Sequence, residues 1–199
     1  MPTVHEVNLA PGLLVSMPHL HDPFFARSVV LMVEHNDEGS FGLVLNQPSD
    51  LPVTQLLDAL ELEWAGDPDQ MVWSGGPVMP TSGWVLHQPI DGMATTEGSL
   101  EIALEAGVTV AVAPDVCLST SSDSLKQIAG EPPGRSRFFL GYAGWGPGQL
   151  AHEMARGSWL HADIGAELIF ETPADDMWKR ALESIGVDPE TIVQTRGVH

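Results

Sequence analysis

Residues Ser28–Asn46 read SVVLMVEHNDEGSFGLVLN. Two short runs rich in Val and Leu, Ser28–Glu34 and Phe41–Asn46, flank Asn36, Asp37, Glu38 and Gly39, residue types that favour tight turns. The pattern predicts a β-hairpin, which commits this part of the chain to antiparallel pairing. Working outward, Leu13–Met17 is a third apolar run of the same kind. Leu56, Leu57 and Leu60 after Thr54 recur at helical spacing and predict a first helix, Thr54–Glu63.

Further along, Met71–Ser74 and Trp84–His87 read as strands joined through Gly75, Gly76, Pro77 and Pro80, where a helix is excluded. Leu100, Ile102 and Leu104 alternate with Glu101, Ala103 and Glu105, the period of two of a half-exposed strand, and Val108, Val110 and Val112 read as its antiparallel neighbour. A short helix follows over Ser121–Ala129, then a strand over Arg137–Tyr142 and a turn at Gly144–Gly148. Pro147 stands at the start of a helix running to Arg156. Trp159–Ile164 and Glu167–Glu171 complete the expected strands. A last helix, Ala174–Ile185, stops at Gly186. About nine strands and four helices without regular β-α alternation predict an α+β fold with a substantial antiparallel sheet. The Glu131–Arg135 loop reads as a surface loop inside a single domain over residues 1–199.

Composition bounds the function. The 199 residues are 43% hydrophobic, enough for a chain of this size to bury roughly 70% of its unfolded surface. Acids number 27 and bases 8, for a net charge of −19, and Arg27 is the sole base before residue 101. Direct contact with nucleic acid or an anionic membrane needs clustered Lys and Arg, so neither partner is expected. One cysteine, Cys117 between Val116 and Leu118, excludes an internal disulfide and a multi-cysteine zinc site and reads as a buried thiol in a reducing, cytoplasmic compartment. Arg27 as the first base leaves no positively charged leader region, and the charge-free stretch over residues 70–90 is too rich in Gly and Pro for a spanning helix.

Several motifs fail on inspection. His152-Glu153 begins like a zinc-protease helix, but Arg156 occupies the second ligand position and a guanidinium cannot bind zinc. His19 and His21 lack further ligands, so no metal and no cofactor are expected. The run Gly141–Gln149, GYAGWGPGQ, lies between a predicted strand and helix. Its glycines would let backbone N–H groups converge near a helix N-terminus, but it is neither a dinucleotide fingerprint nor a P-loop. His35 and His87 each end a strand-like run, a place where sites accumulate.

Taken together, Leu13–Pro18, Asp22–Val30, Glu34–Asn36, Gly42–Asn46, Gly75–Val78, Val85–His87, Gly141–Leu150 and Trp159 resemble the YqgE/AlgH family of bacterial proteins, over Gly12 to Gly186. The resemblance implies a compact α+β domain around a mixed, largely antiparallel sheet with a barrel-like core. It brings a transcriptional-regulator label tied to alginate production, but no assigned catalytic residues. Direct DNA binding is disfavoured by the charge.

Three functions remain in competition. The first is a regulatory module that binds a small ligand or a protein partner in a cleft lined by His35, Asn46, Gly75, Gly76, His87, Trp145 and Gln149. The second is an enzyme with His35 or His87 as general base, aided by Glu34 or Glu153. The third is indirect regulation through a basic protein partner steered by the acidic surface. Oligomeric state is left open.

Overall fold

The computed structural model describes residues 8–194. Its strands are β1 (Gly12–Ser16), β2 (Val29–Asn36), β3 (Gly39–Val44), β4 (Pro48–Pro52), β5 (Met71–Ser74), β6 (Val78–His87), β7 (Thr95–Thr96), β8 (Thr109–Ala113), β9 (Val116–Ser119), β10 (Ser136–Trp145) and β11 (Trp159–Ala162). Seven helices accompany them: α1 (Val53–Asp58), α2 (Leu100–Ala106), α3 (Ser122–Gly130), α4 (Gln149–Ala155), α5 (Ala166–Glu171), α6 (Ala174–Ser184) and α7 (Pro189–Gln194). The fold is α+β, as expected, with a mixed sheet curled into a half-barrel.

Strand order along the sheet is β11-β1-β2-β3-β10-β6-β9-β8-β7, with β4 on β5 and β5 on β10. Pairing is antiparallel except between β5 and β10 and between β7 and β8. The hairpin of the opening stretch forms as predicted, with Leu31 opposite Leu43 and Asn36 opposite Gly39. Its apolar runs are continuous because both faces of the sheet are covered. Leu13, Val15, Val29, Leu31, Leu43 and Leu45 pack on the side that receives Met177, Trp178, Ala181 and Leu182 of α6. Leu14, Val30, Met32 and Val44 point the other way, against Trp145, Leu150 and Trp159. A third cluster places Val53 and Leu57 of α1 and Ile128 of α3 over Val72, Val85 and Phe138.

β10 is the strand on which the sheet turns. Gly141 at φ 73° breaks its register on β6 between Leu140 and Tyr142. Before that break β10 lies between β6 and β5, and beyond it β10 pairs with β3. Gly75 and Gly76 cross at the break: Gly75 N–H donates to the Leu140 carbonyl at 2.9 Å, and the Gly75 carbonyl accepts from Val44 N–H at 2.8 Å. A Cβ on Gly76 would land on the Tyr142 backbone, and one on Gly141 would land on the Gly76 carbonyl.

The structure corrects several expectations. Leu100, Ile102 and Leu104 belong to helix α2, not a strand; Leu100 and Ala103 face inward, and Ile102 and Leu104 are exposed. The antiparallel neighbour of β8 is therefore β9. Glu167–Glu171 is the helix α5. β10 extends through Trp145, so the predicted turn is confined to residues 146–148, and α4 begins after Gly148 at φ 71°. The first helix is shorter than expected, ending at Asp58.

Candidate functional site

The residues expected to share a cleft are dispersed. His35 sits near the end of β2, where Nδ1 lies 2.6 Å from the Ser40 hydroxyl across the hairpin. It lines a hollow of about 340 Å³ with Pro11, Ser99 and Val110. The neighbouring carboxylate, Glu34, lines the same hollow but takes its hydrogen bonds elsewhere. Its oxygens accept from Leu100 N–H at 3.0 Å, from the Ser99 hydroxyl at 3.3 Å and from the Asn36 amide at 3.0 Å, so Glu34 caps α2.

His87 is fully buried. Nδ1 lies 2.7 Å from the Gln88 carbonyl, which can only accept, so Nδ1 carries the proton. Nε2 therefore accepts from the Ser119 hydroxyl at 2.8 Å, and Ser119 in turn accepts from Thr109 at 2.5 Å. Burial pushes the His87 imidazolium below its ordinary value of 6.5, and the bond to Gln88 offsets this only in part. Among the described residues, neither histidine has a carboxylate hydrogen-bonded to its ring.

Trp145 and Gln149 belong to a different constellation. Glu153 Oε2 accepts from the indole N–H of Trp145 at 3.0 Å and of Trp159 at 2.8 Å. Its Oε1 accepts from the Gln149 amide at 3.0 Å, while Gln149 Oε1 accepts from Gly146 N–H at 3.1 Å. Phe25 stacks on Trp145 and meets Trp159 edge-on. The glycine-rich turn thus delivers its N–H to a side chain of its own helix beside a carboxylate, an arrangement hostile to phosphate. In the sequence Glu153 stands out only beside His152 and as a candidate catalytic carboxylate; its anchoring role appears only in the fold.

Gly75 and Gly76 are buried at the strand crossing. Asn46 bridges backbone: Oδ1 accepts from Val29 N–H and Nδ2 donates to the Arg27 carbonyl, both at 2.9 Å. It also lines a polar hollow of about 390 Å³ with Arg27, Gln47, Asp175, Trp178 and Lys179. Of the seven candidates, His35, Asn46 and Trp145 thus line three separate hollows among the described residues, and none of these hollows brings all seven together.

Two further concavities lie among the described residues. One of about 270 Å³ is mainly apolar and lies between α1, α3 and the sheet, bounded by Leu56, Leu125, Val85 and Phe138 with Ser119 at its edge. The other, of about 290 Å³, is a shallow acidic hollow beside Glu34, Glu38 and Glu101. Among the described residues, no group of three or more His, Cys, Asp or Glu is placed to hold a metal ion, and no helix is long and apolar enough to cross a membrane.

Buried Arg137 is a second feature that the sequence did not disclose. Its guanidinium donates to the Thr172 carbonyl at 3.2 Å and lies 4.2 Å from the centre of the Trp73 ring. Burial lowers it to about 10, so it stays cationic at neutral pH and ties β10 to the α5–α6 link.

Comparison with known proteins is consistent along the whole chain. A protein of Myxococcus xanthus named UPF0301 protein is 42% identical over 193 residues, covering 96% of this chain and 99% of the relative. A UPF0301 protein of Nitrosospira multiformis is 39% identical over 93% of this chain and 94% of its own. The solution structure of the AlgH protein from Pseudomonas aeruginosa superimposes with a TM-score of 0.71 at 30% identity, covering 100% of both chains. A crystal structure from Corynebacterium diphtheriae gives 0.70 at 26% identity, over 92% of this chain and 90% of that one. The AlgH-like family profile matches residues 13–190, and the chain belongs to that family.

Proposed function

We propose that the protein is a regulatory module that binds a small ligand and acts without direct contact to DNA. The observation that carries this reading is the polar hollow of about 390 Å³ at Asn46, which combines amide, cationic and aromatic groups and falls in the range of roughly 300–1,000 Å³ usual for small-ligand sites. The charge of −19 supports the exclusion of DNA. The enzyme alternative draws no comparable support, because His35 contacts a serine and His87 has both ring nitrogens engaged inside the core.

A thermal-shift screen of a metabolite library on the full chain tests the reading, since a ligand selective for the native state raises its melting temperature. Hits should perturb the Asn46 and Gln47 amides and the Trp178 indole in NMR spectra. A library without hits, or hits that map only to other hollows, would overturn the assignment of this pocket.

A further inference from the structure

Two of the eight bases line one pocket in a chain whose acids outnumber its bases by 27 to 8. Arg27, just before β2, and Lys179, on α6, both line the hollow at Asn46. Neither forms an ion pair among the described residues. The one carboxylate lining the hollow, Asp175, stands on the helix turn preceding Lys179, outside the 4.0 Å ion-pair distance.

Arg27 is also held in place rather than left loose. Its backbone is left-handed, with φ 52°, a conformation unfavourable for an L side chain and sustained only by its surroundings. Those surroundings are visible. Asn46 donates to the Arg27 carbonyl, and the next residue, Ser28, donates its N–H to the Ser16 hydroxyl at 2.8 Å. The guanidinium lies 5.6 Å from the centre of the Trp178 ring, and Trp178 is buried and fixed by its indole N–H on the Ser16 carbonyl at 2.8 Å. No protein acceptor takes an Arg27 guanidinium N–H among the described residues, so the planar donor fork is available to a ligand.

We infer that the hollow is a binding site for a small organic acid, whose carboxylate sits between the Arg27 guanidinium and the Lys179 ammonium. This rests on the small-ligand reading above. Two cations and Asp175 leave one net positive charge in the pocket, which a single carboxylate neutralises. A phosphate dianion would leave excess negative charge beside Asp175. Arg supplies the paired N–H geometry that a carboxylate accepts, Lys adds a point charge, and the Gln47 amide and Trp178 ring are left to meet the rest of the molecule.

The test is an NMR titration of the full chain with acetate, benzoate, succinate and inorganic phosphate at constant ionic strength. At least one carboxylate should give saturable shifts at the Trp178 indole and the Gln47 amide. Arg27→Gln and Lys179→Gln should each weaken it at least tenfold, and Lys126→Gln, at an exposed base on α3, should bind as wild type. Lys179 is exposed, so its variant folds even where Arg27→Gln proves unstable. Shifts that are absent, or unchanged in both pocket variants, would overturn the inference, as would tighter binding of phosphate than of every carboxylate. A neutral library compound that shifts Trp178 equally in wild type and Lys179→Gln, with no carboxylate binding, would remove the acid assignment and leave the small-ligand reading standing. A chain that binds nothing in either experiment would remove both.

Discussion

Glu153 concentrates more of the local structure than any other single side chain near the glycine-rich turn. It receives two indole N–H groups from tryptophans that are 5% and 2% exposed. Glu153→Ala leaves both donors unsatisfied, at a cost on the order of 2–4 kcal/mol. Glu153→Gln keeps one carbonyl acceptor and should lose about half of that. Urea unfolding followed by tryptophan fluorescence measures both, and an alanine variant as stable as wild type would show that the indoles find other acceptors. His87 gives a residue-scale prediction of a different kind. Its native value lies below the 6.5 of an exposed imidazole, so between the two the unfolded chain holds a proton that the folded chain lacks. The corresponding stability is complete above about pH 6.5 and declines as pH falls through the window beneath it. Wild type should therefore lose more stability between pH 7.5 and 5.5 than His87→Gln, and parallel pH profiles would exclude His87 as the source. Both residues were visible in the sequence as strand-end or helix polar groups. What they bind was not: Ser119 reaches His87 from 32 residues away through the pairing of β6 with β9, and the indoles on Glu153 come from the strands on either side of α4.

At the scale of elements, strands buried on both faces were the most legible, because Val and Leu runs bounded by turn residues have few other readings. The hairpin through Asn36–Gly39, the first three strands and the helix α6 follow from such patterns. Helix α2 was misread for an identifiable reason. Its apolar residues alternate, and its N-cap, Ser99, makes no capping bond with its own side chain. The cap is supplied by Glu34 from β2, 66 residues from Leu100, which no local window can show. The helix is instead favoured by good helix formers, Leu, Glu and Ala, and closed by Gly107 at φ 67°. Glu34→Ala should cost about 1 kcal/mol and fray the first turn of α2. Hydrogen exchange at Leu100–Ala103 would accelerate while exchange in β1 and β2 stays slow. Uniform acceleration would mean that Glu34 supports the hairpin instead of the helix. The candidate cleft failed at this same scale. Asn46, Gly75 and Gly76 cluster in sequence around strand ends, but their polarity and small size serve a backbone bridge and a strand crossing. The pocket that did form takes Lys179 from α6, more than 150 residues after Arg27, and only the isolation of Arg27 among acids hinted at it.

For the whole molecule, charge is the property on which distant parts act together. Acids exceed bases by 19, and the two ion pairs among the described residues, Lys126–Asp123 and Arg135–Glu171, are both solvent-exposed. Exposed pairs contribute about 0–1 kcal/mol and are readily screened, so salt has little favourable pairing to erode. It has much repulsion to relieve, since the folded state holds the carboxylates closer together than the unfolded chain does. At 0.15 M the screening length is about 8 Å, against about 30 Å at 0.01 M, so most of the long-range repulsion disappears within that interval. Raising potassium chloride from 0.01 to 0.15 M should thus stabilise the fold on the order of 1 kcal/mol, which for a chain of this size raises the melting temperature by about 2–4 °C. Chloride is the proper salt for the measurement, because sulfate and phosphate stabilise by exclusion from the surface regardless of charge. A melting temperature that is flat or falling across the titration would mean that local charge attractions, such as Lys126–Asp123 and Arg135–Glu171, outweigh the global field. The same field bears on partners. A duplex gains binding energy by releasing counterions to clustered cations, and a chain with this balance should leave DNA unshifted even at 50 mM salt. A basic protein would instead associate more tightly as salt is lowered, the opposite trend to the stability of the fold itself.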